Sequence, residues 1–255
     1  MNAQTQRVSL ITGGSRGLGR NTAESLARKG VDVVITYHSR VDEARTVVAG
    51  IEAQGRKAVA LQLDTAAVGT FAQFAETLKG TLRETWDRDR LDFLINNAGT
   101  SYHHSIEQTT EADLDALYNV HVKGVFFLTQ KLLPLINDGG RIVNLSSGVT
   151  RIIYPGSGPY AAMKGAVEVL TKYMALELGP RRIAVNVVAP GPIATDFSGG
   201  MVRDNPEVNK RIADMTALGR AGLPADIGPM IASLLSEDNR WVNAQRIEVS
   251  GGTSI

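Results

Sequence analysis

Tyr160 and Lys164 lie four residues apart in a stretch of helical periodicity, Tyr160–Leu178, so their side chains share one helix face. A free phenol titrates near about 10, too high for easy proton exchange at neutral pH. An ammonium beside it stabilises the phenolate and lowers that pKa, which makes the pair a candidate general acid–base. Ser147 precedes Tyr160 by thirteen residues, just past an apolar run Arg141–Leu145. A hydroxyl there can hydrogen-bond an oxygen on which charge develops. Tyrosine and lysine at this spacing also occur by chance on solvated helices, so the reading depends on what accompanies them.

The strongest companion is Thr12-Gly13-Gly14-Ser15-Arg16-Gly17-Leu18-Gly19, placed between an apolar run and a helical stretch. Glycines permit a tight turn and close backbone approach to a pyrophosphate, while the helix N-terminus offers free N–H groups and a favourable dipole. The spacing differs from GxGxxG, since the candidates are Gly13, Gly17 and Gly19 with Ser15, Arg16 and Leu18 between them. No GxxxxGK[ST] occurs, which argues against a P-loop nucleotide hydrolase. The end of the next apolar run reads Ile35-Thr36-Tyr37-His38-Ser39-Arg40 and carries no carboxylate for ribose hydroxyls. Arg16 and Arg40 can instead flank a 2′-phosphate, with Tyr37 and Ser39 nearby, so NADP(H) is expected in preference to NAD(H). The competing reading is two solvated surface arginines.

These residues need a scaffold, and the chain supplies a repeating one. Candidate strands Val8–Thr12, Val33–Tyr37, Ala58–Leu63, Phe93–Ile95, Arg141–Leu145, Ala184–Val188 and Arg246–Val249 are near-continuous apolar runs, as in strands covered on both faces. Helical periodicity fits Leu18–Lys29, Val41–Ala53, Val68–Trp86, Ala112–Leu135, Tyr160–Leu178 and Ala225–Leu235. The expectation is an α/β fold: one Rossmann-type, doubly wound parallel sheet of about seven strands with helices on both faces, spanning residues 1–255 as a single dinucleotide-binding and catalytic domain. The stretch 195–222, with Gly199-Gly200 and Asp204-Asn205-Pro206, reads as a substrate lid. Net charge is +1, from 27 basic against 26 acidic residues, which leaves no footprint for nucleic acid or an anionic membrane. The chain has no cysteine, which excludes thiolate metal sites and cysteine nucleophiles. The polar start Met1–Arg7 lacks the apolar core of a secretory signal, and a cytoplasmic protein is expected.

Taken in order, the motifs resemble those of the short-chain dehydrogenase/reductase family over nearly the whole chain, and are similar to bacterial oxidoreductases of the 3-oxoacyl-carrier-protein-reductase type. The turn Thr12–Gly19 looks like the family's TGxxxGxG. Asn96-Asn97-Ala98-Gly99 matches NNAG, Tyr160-Ala161-Ala162-Met163-Lys164 matches YxxxK, and Pro190-Gly191-Pro192-Ile193-Ala194-Thr195 matches the PG turn. The resemblance implies a nicotinamide-dependent oxidoreductase in which Ser147, Tyr160 and Lys164 are catalytic, acting on a carbonyl or alcohol substrate. It further implies that Asp64 meets the adenine amine, that Asn96, Ala98 and Gly99 line the cofactor ribose, and that Pro190 and Gly191 belong to a cofactor-binding turn in which the Ile193 backbone and Thr195 hold the carboxamide. It implies Lys164 on the nicotinamide ribose, and a homo-oligomer, by family habit a tetramer.

One position departs from the pattern. Where the family has an active-site asparagine, Asn119-Val120-His121-Val122-Lys123-Gly124 places His121. In the family that residue's backbone carbonyl holds a water on the proton path, a role that survives substitution; an imidazole can also shuttle a proton, or serve the core alone. His103 and His104 lack further ligands, so no metal site is expected; their loop, like Tyr154, is a candidate pocket wall. Trp241 fits either the core or a subunit interface. A competing reading is a catalytically silent binding or regulatory protein that keeps the fold and cofactor pocket.

Overall fold

The computed structural model describes residues 6–255, so most of the polar N-terminal stretch lies outside the described residues. Seven strands form one parallel sheet: β1 (Val8–Ile11), β2 (Asp32–Tyr37), β3 (Ala58–Gln62), β4 (Leu91–Asn96), β5 (Ile136–Leu145), β6 (Ala184–Pro190) and β7 (Arg246–Val249). Their spatial order is β3-β2-β1-β4-β5-β6-β7. Strand order therefore reverses at β1, where Leu10 pairs with Val34 of β2 on one side and Leu94 of β4 on the other. In open parallel sheets this switch point leaves a crevice beyond the carboxyl ends of the strands.

Alternation along the strands builds two cores. Ile11, Val33, Ile35, Phe93 and Ile95 face α1 (Gly17–Arg28), α2 (Val41–Glu52) and α9 (Pro224–Leu234), where Leu26, Val47, Ile51 and Ile231 complete the packing. The intervening Leu10, Val34, Leu94 and Ile142 face the opposite layer of α3 (Phe71–Trp86), α5 (Gly124–Leu132) and α6 (Gly158–Leu178), meeting Phe71, Leu78, Leu128 and Met174. Both faces are covered, so period-2 residues are apolar on either side and the strands read as continuous runs.

The stretch Ala112–Leu135 reads as one helix, but the chain divides it. A regular α4 (Glu111–Tyr118) opens on a capping box between Thr110 and Asp113. Residues Asn119–Lys123 then form a π turn, with the Gly124 N–H bonded to the Asn119 carbonyl, before α5 begins. A Cβ on Gly124 would collide with the Thr65 carbonyl, so the segment lies close against the chain after β3. Pro134 ends the run in a short 3₁₀ turn. β5 also starts earlier than expected, because Gly139 at φ 77° lets the chain turn within it. Between β6 and α9 the chain makes an excursion through a 3₁₀ turn (Phe197–Gly200), α7 (Met201–Asp204) and α8 (Pro206–Asp214). Bridges Ile193–Gly222 and Thr216–Thr253 close its base.

Candidate active site

The glycine-rich turn sits at the switch point. Gly13 and Gly17 adopt φ values of 65° and 55°, which side chains rarely tolerate. A Cβ on Gly19 would collide with the Gly13 carbonyl and the Asn97 amide. The turn is tied to the strands beside it: Thr36 Oγ1 accepts from the Gly13 N–H at 3.2 Å, and Asn97 Nδ2 donates to the Thr12 carbonyl at 2.8 Å. Thr12 Oγ1 in turn accepts the N–H groups of Asn97 and Ala98, both at 3.0 Å. The first turn of α1 has neither a capping side chain nor a carboxylate, so its N–H groups are available to an anion. Backbone donors, absent Cβ atoms and the lack of competing negative charge in the turn fit a dinucleotide pyrophosphate.

A cleft of ≈ 470 Å³ extends from this turn and is lined by residues including Ser15, Arg16, Gly17, Glu43, Thr195 and Asp196. Both arginines expected at a 2′-phosphate are already ion-paired, Arg16 with Asp196 and Arg40 with Glu43 at 2.6 Å. Sequence spacing gave no signal for Asp196, which arrives from the far side of the cleft. Thr195 is buried beside Gly17, and its Oγ1 accepts from the Phe197 N–H at 3.2 Å. The PG turn presses on the chain after β7: a Cβ on Gly191 would strike Ser250. Asp64 Oδ1 caps its own loop by accepting from the Ala66 N–H at 2.9 Å. Tyr37 ends β2 partly buried against the α1/α2 core, followed by exposed Ser39.

Asn96 and Asn97 divide their duties. The Asn96 side chain is buried and donates to Asn144 Oδ1 at 2.8 Å and Thr129 Oγ1 at 3.0 Å, turned into the sheet rather than toward the crevice. What this loop presents to the crevice comes from Asn97 through Gly99. Asn97 is the residue that braces the glycine turn, a role its type and position alone did not reveal.

Three elements bring the candidate proton-transfer group together. Ser147 leaves β5 in extended conformation and caps a 3₁₀ turn (Gly148–Thr150). Tyr160 and Lys164 project from the first turns of α6, with the Lys164 Nζ 5.6 Å from the centre of the tyrosine ring. Lys164 is buried and donates to the Leu145 carbonyl at 2.8 Å. Burial brings its pKa down to about 7. Burial pushes the Tyr160 phenol up, while its hydrogen bond with the Ser147 hydroxyl pulls the other way. The expected lowering of the phenol is therefore reversed here: desolvation is the largest effect, and the ammonium spends its hydrogen bond on a strand carbonyl.

His121 is 1% exposed, in the π turn, with its ring edge-on to Tyr160 at 5.3 Å between centroids. Its Nε2 lies 2.9 Å from the Thr100 carbonyl, which fixes the proton on Nε2 and leaves Nδ1 as an acceptor without a partner. Burial, and then the Lys164 charge, bring its pKa down to about 3, so the ring is neutral. Phe197 faces Tyr160 across 6.3 Å and was not singled out by any sequence pattern. His104 stacks on Tyr102, and the His104 N–H donates to the Gly156 carbonyl at 3.0 Å, joining the loop after β4 to the one before α6. Trp241 is 96% exposed, which removes the core reading.

A doubly wound sheet with a glycine-rich turn at its switch point, and a serine, tyrosine and lysine converging on one another, fits a dinucleotide-dependent oxidoreductase. The family model described as enoyl-(acyl carrier protein) reductase matches residues 13–254. An uncharacterized oxidoreductase of Methylorubrum extorquens is 37% identical over 96% of this chain and 97% of its own. Among solved structures, the promiscuous reductase LugOII, which catalyses keto-reduction at C1 in lugdunomycin biosynthesis, superposes with a TM-score of 0.93 at 36% identity, covering 99% of this chain and 100% of its own. The angucycline C-6 ketoreductase LanV with bound NADP gives 0.92 at 36% identity, over 97% and 95%. The chain belongs to the short-chain dehydrogenase/reductase family of oxidoreductases.

Proposed function

We propose that the chain is an NADP(H)-dependent carbonyl reductase in which Tyr160 is the general acid–base. The observation that carries this reading is the convergence of Ser147 and Lys164 on the Tyr160 side chain. The similarity to ketoreductases, one of them holding NADP, supports it. The cofactor, when bound, supplies a hydride to the carbonyl carbon. The chain's own residues handle the oxygen: Ser147 donates a hydrogen bond to it, and Tyr160 delivers the phenolic proton as charge develops. A phenol kept neutral by burial is in the protonation state that reduction requires. Lys164 supplies positive charge near the resulting phenolate and a donor for ribose hydroxyls, with a pKa near 7 that lets it pass protons inward at neutral pH. Arg16 and Arg40 serve the 2′-phosphate, exchanging their present carboxylate partners for it. Segment 195–222 closes over the substrate. Among the described residues no helix is long and apolar enough to cross a membrane, and the reading is of a cytoplasmic enzyme that assembles as a homo-oligomer.

The test is to mix the protein with NADPH or NADH and a panel of ketones, following loss of nicotinamide absorbance. NADPH consumption is expected, with Tyr160→Phe slowing it about 10²-fold or more while NADPH affinity stays within about twofold. NADPH binding without turnover on any carbonyl would favour a silent binding protein, and an active Tyr160→Phe variant would end the assigned proton role.

A further inference from the structure

The serine of the site stands on a short loop, and that loop is pinned by one carboxylate. Glu168 lies on α6 one turn beyond Lys164, and its Oε1 accepts from three donors. These are Ser146 Oγ at 2.7 Å, Thr150 Oγ1 at 2.8 Å and Arg246 Nε at 2.8 Å. Ser146 and Thr150 flank Ser147 on either side. Arg246, from β7, also reaches Thr150 Oγ1 with NH2 at 3.0 Å and Glu248 with NH1 at 3.1 Å. Glu248 then binds Arg151 Nε at 2.8 Å and Ser250 Oγ at 2.7 Å. The hydroxyl before Ser147, the hydroxyl three residues after it and the guanidinium four after it thus all end on one charged chain of contacts. Its inner carboxylate sits on the helix that carries Tyr160 and Lys164.

Rotamer and loop entropy make this significant. A serine at a strand end has a free χ1 and a loop that can shift by an ångström, and misplacement of that size costs catalysis heavily. The Ser147 hydroxyl has little anchoring apart from the Tyr160 phenol it serves, its Oγ accepting from the Val149 N–H at a long 3.4 Å. Support comes instead from its neighbours. Charge-assisted hydrogen bonds are about twice as strong as neutral ones, and three on one oxygen hold that oxygen in place. Because Glu168 and Tyr160 belong to the same rigid helix, fixing Ser146 and Thr150 to Glu168 fixes the serine relative to the phenol.

We propose that Glu168, clamped by Arg246, is a positioning residue that holds the Ser147 loop in register with Tyr160. The inference rests on the proposed catalytic role of Ser147. It acts on orientation, so its loss lowers kcat while leaving KM for NADPH unchanged, and Glu168→Gln, which keeps an acceptor oxygen, recovers part of the rate.

A double-mutant cycle on the full-length protein with NADPH and a reducible ketone tests it. Ser147→Ala is expected to lower kcat about 10²-fold or more, and Glu168→Ala about tenfold or more with Tm and NADPH affinity monitored alongside. In the Ser147→Ala background Glu168→Ala should change kcat less than about twofold, because the residue it positions is gone. Equal losses in both backgrounds, or an unchanged kcat in Glu168→Ala, overturn the inference while leaving the catalytic serine intact. A silent Ser147→Ala removes the catalytic reading and this inference with it. Should Glu168→Ala fail to fold, Thr150→Val removes one of the three donors and carries the same cycle, with the same outcomes deciding.

Discussion

His121 shows how far a single residue could be read. Its type and place in the chain marked it as a departure, with a proton relay and a structural role both open. Its neighbours, the edge of Tyr160 and the carbonyl of Thr100, come from α6 and from the loop after β4, and no local pattern announces either. A ring buried as neutral has a consequence for stability. The unfolded histidine titrates at 6.5 and the folded one at about 3, so between those values the unfolded state binds the extra proton and stability falls as the pH falls. Denaturant unfolding of the wild type should therefore lose about 2 kcal/mol between pH 7 and pH 5 that His121→Asn does not lose. Parallel pH dependence in the two proteins would show that the ring is not held neutral. The serine, tyrosine and lysine were legible because their spacing along the chain survives as geometry. The raised Tyr160 pKa and the lowered Lys164 pKa were not, because desolvation depends on packing that sequence does not display.

At the scale of elements, every strand and most helices follow from apolar runs and periodicity, with ends misplaced by a few residues. The failures have physical causes. The long stretch 112–135 has apolar residues on both sides of the π turn, and such single-turn bulges inside a helix carry no residue signature of their own. At its end Gly124 passes close over Thr65, a contact between segments far apart in sequence. The cofactor turn was legible through its glycines, yet its bracing by Asn97 and Thr36 was not. The ion pair of Arg16 with Asp196 joins this turn to the start of segment 195–222. Replacing Arg16 and Arg40 with alanine should weaken NADPH binding about tenfold or more, and NADH binding less than about threefold, by titration of nicotinamide fluorescence. Equal losses for both cofactors would mean the arginines belong only to Asp196 and Glu43.

For the whole molecule, α6 carries a second pattern on its outer side. Ala162, Ala166, Val169, Tyr173 and Leu176 repeat at four- and three-residue steps, all exposed, with Leu176 at 76% and Tyr173 at 61%. Leu114 and Tyr118 of the adjoining α4 add to the same apolar side. Such a stripe suits helix-to-helix packing, and the proposed homo-oligomer would set it against a second copy of itself. Tyr173→Glu should then shift the protein to a smaller species in sedimentation or light scattering, while the far-ultraviolet circular dichroism is unchanged. An unaltered mass would move the contact elsewhere. The apolar residues were visible in the sequence, but which of them face outward required the sheet they pack on.

The strand order also dictates when the protein can come into being. β1 is made first, yet it lies mid-sheet, and its second neighbour, β4, is synthesised some eighty residues later. A growing chain can close β1 against β2 early, but its other edge stays open to misassociation until Leu91–Asn96 emerges. The brace from Asn97 to the glycine turn arrives in the same moment. Thr195 comes a hundred residues after that, and the arginine that clamps Glu168 only with the last strand. Ligand cannot reward the fold until almost everything else is in place, so the nascent chain must reach near-completion on its hydrophobic layers alone.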